Sequence, residues 1–244
     1  MDTSLISYME GLLELTNSNF YRYMFHQVNW EARMFGLVGP RGVGKTTMIL
    51  QYIRDHRGDA KMLYVSADHV FFSNHTLIEL ADEFAKEDGK QLFIDEIHKY
   101  ENWSRELKQI YDTHPDIRIV FTGSSVLDIY KGVADLSRRA PIFMMQGLSF
   151  REYLKLFYDK DVPLFTLDDV LSQKARIPSI RHPLPLFQDY LHKGYYPFSQ
   201  DVNFEIELRQ VINQTMEVDI PQYANMNTST GRKLKKLFAV IAQS

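Results

Sequence analysis

No cysteine occurs among the 244 residues. That excludes disulfides, Cys-ligated zinc and a thiol nucleophile, and it fits a cytoplasmic location. Long apolar runs are missing too. No stretch approaches the ~20 residues that span a bilayer, so no contact with the membrane is expected. The start, Met1-Asp2-Thr3-Ser4-Leu5, has neither the basic region nor the apolar core of a secretory signal. An excess of one charge is also absent. A net charge of −3 argues against a strongly basic nucleic-acid binder and against an acidic tail. The chain shows no internal repeat and no low-complexity segment. What remains is 45% apolar, enough to bury a substantial core in one large domain or one and a half ordinary ones.

The most informative stretch is Gly39-Pro40-Arg41-Gly42-Val43-Gly44-Lys45-Thr46, followed by Thr47. It reads G-x-x-x-x-G-K-T, a phosphate-binding loop. Its glycines let the backbone wrap closely and turn N–H groups toward phosphate oxygens. Lys45 reaches the β- and γ-phosphates, and the Thr46 hydroxyl binds Mg²⁺. Chance alone produces the pattern in a chain of this length on the order of once in a hundred. The context decides. Arg33–Val38 is a short apolar run that reads as a buried strand, and apolar residues at 48, 49, 52 and 53 have helical spacing.

The alternation continues downstream. Strands are expected at 61–66, 91–96, 117–122 and 141–145, with helices at 76–86 and 102–111 between them. Such alternation implies a parallel sheet covered on both faces. Two short helices are expected within residues 1–30. From Gly147 the pattern is helix only. Ser149-Phe150-Arg151-Glu152 is a capping box that opens a helix through Phe157 or Tyr158. Further helices are expected around Val170, around Phe187 to Leu191, from Phe204 to a stop at Pro221, and from Thr230 on. The last carries an apolar stripe (Leu234, Leu237, Phe238, Ile241) opposite a basic face that reads as solvated. The stripe suggests that the chain is the front part of a longer protein.

Asp95 and Glu96 end an apolar strand about fifty residues after the loop. Asp95 sits where a Mg²⁺ ligand is needed. Glu96 can hold the attacking water and take its proton, which specifies hydrolysis more than transfer. Thr122 and Ser124, at the next strand end, can sense the γ-phosphate or orient the water. Arg138 and Arg139 precede the fifth strand, and either can stabilise charge on the transferring phosphate, in cis or from a neighbouring subunit. No Asn-Lys-x-Asp or Thr-Lys-x-Asp element follows a later strand, so ATP is expected rather than GTP. Asp55-x-x-Gly58 resembles a GTPase switch motif but lies at a helix end. No histidine spacing suggests a second metal, and His98 reads as a helix-start or surface residue.

Val38–Thr47, Phe93-Ile94-Asp95-Glu96-Ile97-His98 with Trp103 after it, Phe121-Thr122-Gly123-Ser124-Ser125, Leu136-Ser137-Arg138-Arg139 and Gly147–Leu154 together resemble one prokaryotic family. It is the AAA-type ATPases of bacteria and archaea, the AAA_14-like group related to the AAA+ and STAND ATPases. The resemblance covers about residues 28 to 154, and Gly194-Tyr195-Tyr196-Pro197 resembles a further landmark. It implies an α/β P-loop fold of the additional-strand (ASCE) type, with five parallel strands in the order 5-1-4-3-2. It also implies Lys45 and Thr46 on phosphate and Mg²⁺, Asp95 on Mg²⁺, Glu96 as base, and a sensor role for Thr122 or Ser124. Relatives carry Leu-Ala-Gly-Arg where this chain has Leu-Ser-Arg-Arg, so Arg139 matches the finger better than Arg138.

These readings lead to one expectation. Residues 30–147 form an ATPase domain, 1–29 pack on it, and 148–244 form a helical extension leading toward a C-terminal domain. The domain binds and hydrolyses ATP with Mg²⁺, releases ADP, and works as a nucleotide-driven switch or motor. The alternatives are a nucleotide-gated interaction module with negligible turnover and a small-molecule kinase. Expected partners are further copies of the chain, through a trans arginine, and a protein or nucleic acid reached through a C-terminal region.

Overall fold

Short strands rich in Phe, Ile, Leu and Val can be buried on both faces only if helices cover both sides. The computed structural model of the chain, which describes residues 2–124, 136, 138–177, 180–223 and 227–241, is built this way. Five parallel strands, β1 (Met34–Val38), β2 (Met62–Ser66), β3 (Gln91–Asp95), β4 (Arg118–Gly123) and β5 (Ile142–Met144), pair in the order β2-β3-β4-β1-β5. This is the order implied by the family resemblance. Each strand begins or ends within a residue or so of its expected limits, a difference the fraying of ladder ends accounts for.

Side chains alternate across the sheet. Leu92 and Ile94 of β3 join Ile119 and Phe121 of β4 on one face. There they pack on α3 (Leu77–Lys86) and α4 (Trp103–Thr113) through Leu80, Phe84, Leu107 and Ile110. Phe93, Val120, Phe35 and Leu37 point to the other face. There α2 (Lys45–Asp55) supplies Met48, Ile49, Tyr52 and Ile53, and α1 (Thr3–Leu15) adds Met9 and Leu13.

The N-terminal segment differs from expectation. It holds one α-helix, α1, and then a single 3₁₀ turn, Tyr23–His26. Between them the Asn17 side chain accepts from the Asn19 N–H at 2.8 Å, a local bond that competes with helix. Trp30 stacks on Tyr52 with ring centroids 4.0 Å apart and Phe25 lies 5.5 Å from Trp30, while Tyr23 is exposed.

After β5 the chain is helical: α5 (Phe150–Tyr158), α6 (Leu167–Leu171), α7 (Pro183–Lys193), α8 (Phe204–Gln214), α9 (Ile220–Tyr223) and α10 (Thr228–Ile241). The capping box opens α5, with the Ser149 hydroxyl and the Glu152 carboxylate each taking the other's backbone N–H. The fourth expected helix does not stop at Pro221. A π-helical stretch, Thr215–Asp219, joins α8 to α9 directly before Pro221, the kind of local irregularity in which a helix can carry a proline. The last helix starts at Thr228 rather than Thr230, after Asn227 accepts from the Thr230 N–H at 3.0 Å. Its basic face is exposed at Arg232, Lys233 and Lys236, while Lys235 reaches Glu217 at 2.9 Å.

Because all strands run one way, their carboxyl ends share one edge. Strand β4 lies between β1 and β3, so the loop after β1 and the acids after β3 flank the end of β4.

Candidate functional site

The loop after β1 tightens through glycines. Gly42 and Gly44 take φ of 76° and 96°, left-handed values that side chains resist. A Cβ on Gly39 would come within 2.1 Å of the Met145 carbonyl oxygen, so β5 requires a glycine there. Helix α2 begins at Lys45, directing its free N–H groups at the loop. The Lys45 ammonium is buried and donates to the carbonyls of Gly39 at 2.8 Å and Pro40 at 2.9 Å. Burial lowers its pKa, against the opposing pull of Glu96 and Asp95.

Asp95 ends β3 with its carboxylate fully engaged. One oxygen accepts from the hydroxyls of Thr46 at 2.6 Å and Tyr64 at 2.8 Å. The other accepts from the Thr122 hydroxyl and from the Glu96 N–H at 3.1 Å. Burial and the neighbouring Asp95 charge push the Tyr64 hydroxyl far up, so it stays a donor. The next residue, Glu96, takes φ of 51°, an uncommon value off glycine that turns its carboxylate out of the strand. Its N–H also meets the Thr122 hydroxyl oxygen at 3.1 Å, and its carboxylate accepts from Ser124 at 2.9 Å. His98, read as a helix-start or surface residue, lies in the short 3₁₀ turn Ile97–Lys99, its side chain buried and its Nε2 3.3 Å from that carboxylate.

Arg41, Gly42, Gly44, Lys45, Thr46, Thr47 and Glu96 line a cavity of about 530 Å³. Its remaining wall comes from Pro197, Phe198 and Asp201, far along the chain. Phe198 occupies the space beside Gly42 that a Cβ would need, and Arg41 pairs with Asp219 at 3.3 Å. A second cavity of about 490 Å³ adjoins the loop at Gly44 and Thr47. It lies between the Asn17–Arg22 arm and the Lys155–Asp159 stretch, with Gln51 in its wall.

A family model of AAA domains, AAA_14, matches residues 31–154. The chain belongs to this family. Among solved structures, the Walker-type ATPase PABY2304 of Pyrococcus abyssi aligns with a TM-score of 0.48 at 12% identity, over 92% of this chain and 76% of that one. PCH-2 of C. elegans aligns with a TM-score of 0.45 at 17% identity, over 94% of this chain and 67% of that one. No curated protein matches the chain.

An AAA domain is a nucleotide-binding ATPase domain, and the fold gathers six of the expected side chains at one sheet edge: Lys45, Thr46, Asp95, Glu96, Thr122 and Ser124. The two candidate arginines, Arg138 and Arg139, are not among them. Arg139 lies just before β5, at the opposite end of the strands, where it pairs with Asp112 at 3.1 Å. Its neighbour Arg138 is exposed. Within one chain the length of β5 separates Arg139 from the edge that carries the loop. Ser125 and Ser137 lie outside the described residues.

Sequence reasoning missed Tyr64, Arg22, Phe198 and Asp219. Only the Gly194–Pro197 punctuation hinted at the wall near Phe198, and nothing in it pointed to the loop. Among the described residues, no helix is long and apolar enough to cross a membrane.

Proposed function

We propose that this AAA domain binds Mg²⁺-ATP on residues 39–47 and hydrolyses it to ADP and phosphate. The observation that carries the reading is the buried Asp95 carboxylate, 2.6 Å from the Thr46 hydroxyl, with Glu96 next to it on the cavity wall. Asp95 and Thr46 offer hard oxygens, the donor type Mg²⁺ selects, and they stand beside the loop that would hold the phosphates. When bound, the ion neutralises charge on the β- and γ-phosphate oxygens.

The protein groups do the rest. Lys45 and the α2 N-terminus hold the phosphates. Glu96 accepts a proton from the attacking water as the new P–O bond forms and the bridging oxygen leaves on ADP. Ser124 orients the Glu96 carboxylate by its hydrogen bond, and Thr122 fixes both Asp95 and the Glu96 amide. The second cavity, with Phe20, Gln51 and Leu156 in its walls, is the place for the base and ribose. ATP is favoured because the chain has no guanine-reading motif.

Phosphate release tests the reading. Glu96→Gln is expected to keep Mg²⁺-ATP binding and lose about 10²–10⁴-fold in release. Lys45→Ala is expected to lose binding. Equal release by wild type and Glu96→Gln sinks hydrolysis and leaves a nucleotide-gated binding module, a reading favoured by the partners Glu96 already has in Ser124 and His98. Phosphate appearing on an added acceptor makes the domain a kinase.

A switch role is supported by the extension that reaches the loop through Phe198 and the Arg41–Asp219 pair. In this reading 30–147 is the ATPase domain, 1–29 its packed lead segment and 148–244 the part that responds, in the cytoplasm. Arg139 and Arg138 join the reaction only across subunits. Activity per protomer then rises with concentration, and Arg139→Ala removes the rise; a flat profile argues against a trans arginine.

A further inference from the structure

We propose that Arg22 is a positioning residue for the phosphate loop, holding the Val43–Gly44 peptide in the orientation that phosphate needs. The inference rests on the reading that residues 39–47 bind nucleotide phosphate. Arg22 comes from the arm before the 3₁₀ turn and is buried. Its guanidinium makes four hydrogen bonds. Nε donates to Glu152 at 2.8 Å, Nη1 to the Val43 carbonyl, and Nη2 to the carbonyls of Gln146 at 2.7 Å and Gly147 at 2.9 Å. Glu152 is equally committed. It accepts from the Tyr23 N–H at 2.9 Å and from the Ser149 N–H and hydroxyl, each at 2.9 Å. One cation therefore joins the arm, the loop, the chain after β5 and the start of α5.

A trans peptide points its C=O and the following N–H in opposite directions. Pinning the Val43 oxygen to Arg22 thus turns the Gly44 N–H the other way. Val43 lies between Gly42 and Gly44, both with positive φ, the least self-restrained backbone in the loop. A hold from outside is what such a loop lacks. Stability alone is a weak account of the pair, because apolar residues of similar volume often stabilise a buried position as well as an ion pair does. The planar fork matters instead: lysine carries the charge but cannot reach four acceptors in these directions.

The test measures ADP binding by calorimetry at 20 °C, and amide exchange, on the full chain. Arg22→Lys is expected to weaken ADP about tenfold, the equivalent of one positioned hydrogen bond. Exchange should rise in residues 40–47 and stay unchanged in β1 and β4. If Arg22→Lys fails to fold, the double variant Arg22→Met with Glu152→Met, which leaves no unpaired buried charge, decides by the same two readouts. Unchanged affinity overturns the proposal. So does exchange that rises through the strands as well as the loop, which marks a role in the fold alone. Wild type that binds no ADP, or binds it no better than Lys45→Ala, fells the nucleotide reading itself and the proposal with it. A wild type that binds beside an Arg22→Lys that binds equally well fells only the proposal.

Discussion

The sheet and the helices after α5 are held together by different means. In the sheet, Phe35, Phe93 and Phe121 are wholly buried, and helices close both faces. In α6, α7 and α8 no side chain is fully buried, and Leu167, Leu171 and Leu184 stay more than 70% exposed. What ties this part back is a few ring contacts, Phe150 on Phe187 and Tyr190 with centroids 5.2 and 5.3 Å apart and Tyr153 on Tyr190 at 5.4 Å, together with a small set of polar bonds. The Tyr190 hydroxyl donates to the Leu148 carbonyl at 2.8 Å, Tyr153 and Tyr158 donate to Asp189 at 2.6 and 2.9 Å, and the Leu148 N–H donates to the Tyr195 carbonyl at 2.7 Å. Packing over a large area sets one arrangement and resists others. A few directional bonds hold an arrangement that can be released at small cost, the property expected of a moving part. The side chains of the proposed site sit on the first kind of structure and are overlooked by the second.

The largest effect should come from cutting the sheet's packing. Phe121→Ala is expected to lose about 3–5 kcal/mol in urea unfolding followed by circular dichroism. Leu184→Ala should change the same transition by less than about 0.5 kcal/mol. Similar losses from both would break the contrast. An intermediate effect is expected at the junction: Ser149→Ala removes the cap of α5 and should cost about 1 kcal/mol. The matching change in α6, Thr166→Ala, should leave the main transition where it is. The smallest effect belongs to Asp189. Asp189→Ala should raise amide exchange within 183–193 without moving the main unfolding midpoint. Bonds from Tyr153, and less strongly from Tyr158, hold the Asp189 carboxyl below its usual pKa of 3.8. The tie is therefore complete above that pH and fades as pH falls through the lowered value. Exchange in α7 that is insensitive to acid, with the sheet still folded, would contradict it.

Much of the sheet domain was legible because each signal was local. A five- or six-residue apolar run reads as a buried strand wherever it lies, and G-x-x-x-x-G-K-T carries its own geometry. Ser149 and Glu152 stand three apart and cap the helix they belong to. The misses were of another kind. Tyr64 reads as one more strand residue until β2 sets its hydroxyl against Asp95. Arg22 reads as a surface cation until three distant segments converge on it. Phe198 meets Gly42 only after the extension has folded across the loop. Pro221 looked like a stop because the π-helical stretch before it leaves no periodic mark.

From residue order alone came the strands, their covering helices, the phosphate loop and the acids at 95 and 96, since each depends on neighbours within a few residues. Family resemblance added the strand order. Tertiary structure alone decided which side chains share the cavity. It set Thr46, Tyr64 and Thr122 on Asp95, Ser124 on Glu96, and the two arginines at the far end of the sheet. Those placements depend on the parallel direction of every strand and on β4 lying between β1 and β3, and such long-range pairing leaves no trace in any short window of sequence.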